Sequence, residues 1–144
     1  MYLIVTTSSK VAEEAMKSGA IVFRDTKLDA MFKASTVSVE QIMAKLAIKP
    51  NLKGYDYIKY IMNKCEENPA YHKKSLMKVI YPECAEAFDA TVSKVERAIR
   101  HAIERSFEAV PERYFELYQR EIEKVPTNSE FISMISEILN YYSN

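Results

Sequence analysis

The chain has 144 residues, 48% of them hydrophobic and 28% charged, and its 20 basic side chains balance 20 acidic ones to a formal net charge of zero. That composition supplies one core, with at most a small appendage. No apolar run approaches the roughly 20 residues of a membrane span and no secretion signal is evident, so neither a membrane partner nor export is expected and a cytoplasmic location is.

In chain order, Tyr2 to Thr7 is a β-rich run, Val11 to Ser18 a helix stopped by Gly19, and Ala20 to Phe23 a second short β run. This predicts a strand-helix-strand appendage over residues 1–34 and a separate helical domain over 35–144. Two parallel strands with one crossover helix leave open edges and half a core, so the appendage is expected to pack on the helical domain or pair with a second chain. Val37, Val39, Ile42 and Leu46 mark a short amphipathic helix ending before Lys49-Pro50, since proline disfavours helix in the residue before it. The next helix is expected over Tyr55 to Cys65, starting after Gly54, with Ile58, Ile61, Met62 and Cys65 as its buried stripe. Its tyrosines stand at helical spacing beside aliphatic residues, which suits packing better than base stacking. His72, next to Lys73-Lys74, falls in a loop or helix start and suits the surface.

Residues Ser75 to Phe107 read as two helices joined by a tight turn: a scaffold helix over about 75–88 and a recognition helix over about 92–107. The first carries Leu76, Val79, Ile80, Cys84 and Phe88 on one stripe and ends near Asp89-Ala90. In the second, Val92, Val95, Ile99, Ala102 and Ile103 share a face by three- and four-residue spacing. Ser93, Arg97, Arg100, His101 and Glu104 then point the other way. Two caps are open for this helix: Ser93 with Glu96 fits a reciprocal capping box, whereas Thr91 places Lys94 at the third position. A tight helix pair with arginines opposite the buried stripe is the pattern of a helix-turn-helix DNA reader. Arginine can grip guanine O6 and N7 with two parallel hydrogen bonds, and glutamate can accept from a cytosine amino group. A solvated polar face is the plainer reading of the same pattern.

Cys65 and Cys84 both lie on apolar helical stripes, so they read as small core side chains rather than ligands or a disulfide. Pro111 starts a further helix with Tyr114, Phe115, Leu117 and Tyr118. A last helix is announced by Pro126 and by a second capping box, Thr127 with Glu130, and buries Phe131, Ile132, Ile135, Ile138 and Leu139. No cysteine or histidine cluster has metal spacing, no nucleophile and base or carboxylate pair appears, and there are only two glycines to cradle a phosphate. No metal, no cofactor and no enzyme activity are therefore expected.

The strings LKGYDYIKYIM (Leu52 to Met62), KVIYP with the following AEAF (Lys78 to Phe88), SKVERAIRHAIE (Ser93 to Glu104) and PTNSEFI (Pro126 to Ile132) resemble the effector domain of stage-zero sporulation protein A, the response-regulator family that initiates endospore formation. The resemblance runs from about Thr36 to Leu139, in order and at nearly the same spacing. It implies an all-helical bundle that binds a short box close to TGTCGAA in the major groove of double-stranded DNA, usually as tandem head-to-tail copies. The family's recognition contacts fall here on Glu96, Arg97, Arg100 and His101. Arg97 lies at the centre of the polar face and is expected to contact guanine, with Arg100 and His101 flanking it, Glu96 reading cytosine, and Ser93 and Lys94 completing the DNA-binding set. Residues Ser106 to Lys124 match the family weakly, and there the family meets the polymerase sigma subunit.

In the family a receiver domain precedes the effector. VTTSSKVAEEAMKSGAIVF resembles the last strand-helix-strand portion of a receiver, with Thr6 or Thr7 at the phosphoryl-sensing place and Thr26-Lys27 where a lysine and proline are usual. The segment reads either as a receiver remnant or as an unrelated α/β appendage. The expected protein is a sequence-specific transcription regulator of mainly helical fold without phosphorylation control; the alternative is an interaction or dimerisation module that has lost specific DNA binding. Zero net charge does not oppose DNA binding, because Phe107 to Asn144 carries seven acids against three bases while the reading helix lies elsewhere.

Overall fold

The computed structural model describes residues 3–5, 21–23, 37–118 and 121–142, and the chain divides into two compact units, Met1–Ser35 and Thr36–Asn144. In the first, strands β1 (Leu3–Val5) and β2 (Ile21–Phe23) pair in parallel, with Leu3 opposite Ile21, Ile4 opposite Val22 and Val5 opposite Phe23. Both are short apolar runs in which β-branched residues predominate, which favours the pleated conformation. The helix expected over Val11 to Ser18, and the positions Thr6, Thr7, Thr26 and Lys27, lie outside the described residues.

The regular elements among the described residues of the second unit are all helical. Its α-helices are α1 (Val39–Lys45), α2 (Lys53–Glu67), α3 (Tyr81–Ala87), α4 (Val92–Ala109), α5 (Pro111–Tyr118) and α6 (Asn128–Tyr142). Helix α2 is the hub and packs against α1, α4 and α6. Its Ile58, Ile61 and Met62 are fully buried, facing a core that includes Ile99 and Ile103 of α4 and Ile132 and Ile135 of α6. Each such side chain contributes about 1.5 to 3 kcal/mol by leaving water. Cys65 and Cys84 are buried free thiols in this core, and burial pushes the Cys84 thiol up to about 12.

Helix α1 begins with a complete capping box in which Ser38 accepts from Gln41 N and Gln41 Oε1 accepts from Ser38 N. It ends at Leu46 with Ala47 in the left-handed region at φ 55°. There Ile48 N donates to Met43 O at 2.9 Å and Ala47 N to Ala44 O at 3.1 Å, the two bonds of a Schellman ending. Two further polar ties hold this end down: Ser106 Oγ donates to the Leu46 carbonyl, and Arg113 Nη1 to the Lys45 carbonyl. Lys45 and Leu46 thereby lend their free carbonyls to α4 and α5, where an arginine also suits the negative end of the helix dipole.

Two expectations are corrected here. Gly54 does not precede α2 but lies inside its first turn. A Cβ at Gly54 would overlap the Ala98 carbonyl oxygen and stand 2.8 Å from Ala102 Cβ, so the missing side chain lets α2 and α4 touch backbone to backbone. Phe88, placed on the buried stripe, is 42% exposed; it sits beyond the end of α3 and meets Tyr57 and Tyr60 edge-on, with centroids at 5.2 and 5.8 Å.

Ala47→Gly is expected to raise stability by about 1 kcal/mol in urea unfolding, because glycine removes the left-handed penalty of an L side chain. Gly54→Ala should do the opposite: despite alanine's better helix propensity, forcing α2 off α4 costs about 1 to 3 kcal/mol in the same assay.

Candidate nucleic-acid interface

The helix pair is set up by three local devices. Ser75 Oγ accepts from Lys78 N at 3.1 Å and starts the scaffold segment. Its first turn, Leu76–Ile80, is a π-turn, with Ile80 N donating to Ser75 O, five residues back, at 3.1 Å. The expected continuous helix over 75–88 is thus split at Ile80-Tyr81. Pro82 is the physical reason, since it has no N–H and its ring crowds the carbonyl four residues earlier, that of Lys78. Helix α3 then closes with Asp89 in the left-handed region at φ 51° and Ala90 N donating to Ala85 O at 2.8 Å. An aspartate tolerates that conformation better than most residues, so the tight turn is made without glycine.

Helix α4, the expected recognition helix, starts at Thr91, whose Oγ1 accepts from Lys94 N at 3.2 Å. Of the two caps left open by the sequence, Thr91 is the one formed, and Ser93 is left exposed inside the first turn. With no acidic residue in that turn, the positive end of the helix dipole is uncompensated, which favours an approaching phosphate. Val95, Ile99, Ala102, Ile103 and Ser106 are buried. Ser93, Lys94, Glu96, Arg97 and His101 are exposed. Arg97 and His101 lie one turn apart on that open face.

Arg100 is held differently. Its Nη1 donates to the Pro126 carbonyl at 2.8 Å and its Nε pairs with Glu104 Oε1 at 2.8 Å. The ion pair is half-exposed and adds little stability, but the two bonds fix the guanidinium and leave Nη2 outside them. One turn earlier, Asn128 Nδ2 donates to the Glu96 backbone carbonyl at 3.2 Å and to Tyr81 Oη at 3.0 Å. The Glu96 carbonyl can only accept, which settles the orientation of the amide. Tyr81 is 2% exposed, and burial raises its phenol's pKa, with the Glu96 carboxylate acting in the same direction and the Asn128 bond opposing both. Pro126, just before α6, and Asn128, its first residue, therefore grip α4 at two points. Thr127 caps α6, accepting from Glu130 N at 3.1 Å; its hydroxyl donates to Glu130 Oε1 at 3.0 Å, so the carboxylate returns to the hydroxyl instead of the backbone.

Residues 39–139 match the family model described as sporulation initiation factor Spo0A C terminal. The chain belongs to this family. The match spans α1 to all but the last turn of α6, so the Spo0A C-terminal domain here is the helical unit, and it is the DNA-binding effector domain of a sporulation transcription regulator. Among the described residues no helix is long and apolar enough to cross a membrane.

The structure thus brings Ser93, Lys94, Glu96, Arg97, Arg100 and His101 onto one helix face, as their spacing requires. Sequence reasoning missed the grip on that helix. Tyr81 and Asn128 stand in two of the strings that carry the resemblance, KVIYP and PTNSEFI, but periodicity reads the first as a neighbour of the core stripe and the second as part of a cap. The cap itself is open to test: Thr91→Ala is expected to cost about 1 kcal/mol in urea unfolding and Ser93→Ala only a few tenths.

Proposed function

We propose that the helical unit recognises a box close to TGTCGAA in the major groove, with α4 as the reading helix. The observation that carries this is the open face of α4, where Glu96, Arg97 and His101 stand exposed on a helix of a family whose domain binds DNA. Arg97 takes guanine through O6 and N7, and Glu96 accepts from a cytosine amino group. His101 and the free edge of Arg100 flank them, while Ser93 and Lys94 meet the phosphates beside the electropositive start of the helix. The protein works by binding and not by catalysis. In this reading binding needs no phosphoryl group; what supports it is that Thr36–Asn144 is a compact unit with a buried core among its described residues. By resemblance, tandem boxes take two copies head to tail, and a bound copy meets the polymerase sigma subunit through the region of α5.

A gel shift against the box and a scrambled box tests the reading. Arg97→Ala should lower affinity for the box by about 1 to 3 kcal/mol and leave binding to scrambled DNA nearly unchanged, the signature of a lost base contact. Lys94→Ala should weaken both about equally and reduce the slope of log affinity against log salt by about one. Equal binding of the wild type to both DNAs would refute specific readout, and no binding at low salt would favour an interaction module instead.

A further inference from the structure

We propose that Asn128, a residue of the last helix with no part in the DNA-binding set, is a positioning residue that determines how specifically α4 reads its box. The inference rests on the reading above and concerns what holds the reader.

A helix lying in a groove discriminates only if its rotation about its own axis is fixed, because one residue of rotation swings each side chain through about 100°. Apolar packing alone is non-directional and tolerates small rotations. The described contacts of α4 include two directional bonds to the start of α6: Asn128 Nδ2 to the Glu96 carbonyl at 3.2 Å, and Arg100 Nη1 to the Pro126 carbonyl at 2.8 Å. They grip α4 one turn apart and bracket Arg97. The same Asn128 amide group also donates to Tyr81 Oη at 3.0 Å, so one side chain ties scaffold, reader and last helix together. Tyr81 and Asn128 are both buried, at 2% and 8% exposure.

The arrangement is a poor way to gain stability. Among the described residues Asn128 Oδ1 is buried without a hydrogen-bond partner, and an unmet buried acceptor destabilises the fold. An apolar pair in place of Tyr81 Oη and Asn128 would leave neither group unmet. Buried polar groups of this kind fix one arrangement among several that packing alone would allow.

The test is the double variant Tyr81→Phe with Asn128→Leu, which removes both polar partners together and leaves no orphan behind, set beside Ile61→Val, a core change in α2. Each is measured by gel shift with the box and its scrambled form, well below its melting temperature. The double variant should keep its affinity for scrambled DNA within about twofold and lose roughly tenfold in discrimination, about one well-made base contact. Ile61→Val should discriminate as the wild type does. Wild-type discrimination in the double variant, or an equal loss in Ile61→Val, overturns the proposal. A second readout needs no DNA: residual dipolar couplings of the α4 amides should report a changed orientation of α4 relative to α3 in the double variant. An unchanged orientation overturns the positioning role even if the wild type proves not to read the box, so the two failures are told apart.

Discussion

The amide of Asn128 is the point on which the described arrangement of the reading helix depends. Its Nδ2 bridges a phenol on the scaffold helix and a backbone carbonyl on the reading helix, from a residue that begins the last helix. An in-helix carbonyl already takes one bond from the N–H four residues on, and here its second lone pair is used as an anchor. Arg100 repeats the device one turn along, reaching back to Pro126. The last helix, which sequence periodicity shows only as an amphipathic lid, thus supplies directional contacts where the core supplies area.

Close approach is the other half of the design. Gly54 lets α2 lie against the Ala98 backbone, and Ala98 and Ala102 keep the facing side of α4 thin. Ser106, deeper along the same helix, is spent on the Leu46 carbonyl and on Tyr114 Oη at 2.5 Å. The buried side of α4 is therefore committed along its length, to apolar packing near its middle and to hydrogen bonds at both ends. On its outer side Ser93, Lys94, Glu96, Arg97 and His101 are exposed. Because acids crowd the segment after Phe107, that outer side can be locally cationic in a neutral chain, which sets binding by contacts at short range more than by long-range attraction.

Much of this was legible in the sequence. The stripes of α4 and α6 follow from the spacing of Val95, Ile99, Ala102 and Ile103, and of Phe131, Ile132, Ile135 and Leu139, because burial of one helical face leaves that signature. The polar face of α4 was legible for the same reason. The π-turn before Pro82 was not, since a proline near a helix start is compatible with either a clean first turn or a bulge. Gly54 looked like a boundary because glycine's common use is to end helices, and only the position of α4 shows that it serves close contact. The Asn128 bridge was invisible for a deeper reason. Its partners lie 32 and 47 positions away along the chain, and no local pattern encodes a hydrogen bond between elements that meet only in the fold.

In the proposed complex α4 reads base edges from the major groove. Methylation interference on the box tests it most directly, because methylating guanine N7 blocks the atom that an arginine fork would grip, whereas methylating adenine N3 alters only the minor groove. N7-methylated guanines within the box should be excluded from the bound fraction, and Arg97→Ala should erase this exclusion at one guanine. Binding disturbed only by phosphate ethylation, with every methylated guanine tolerated, would contradict it.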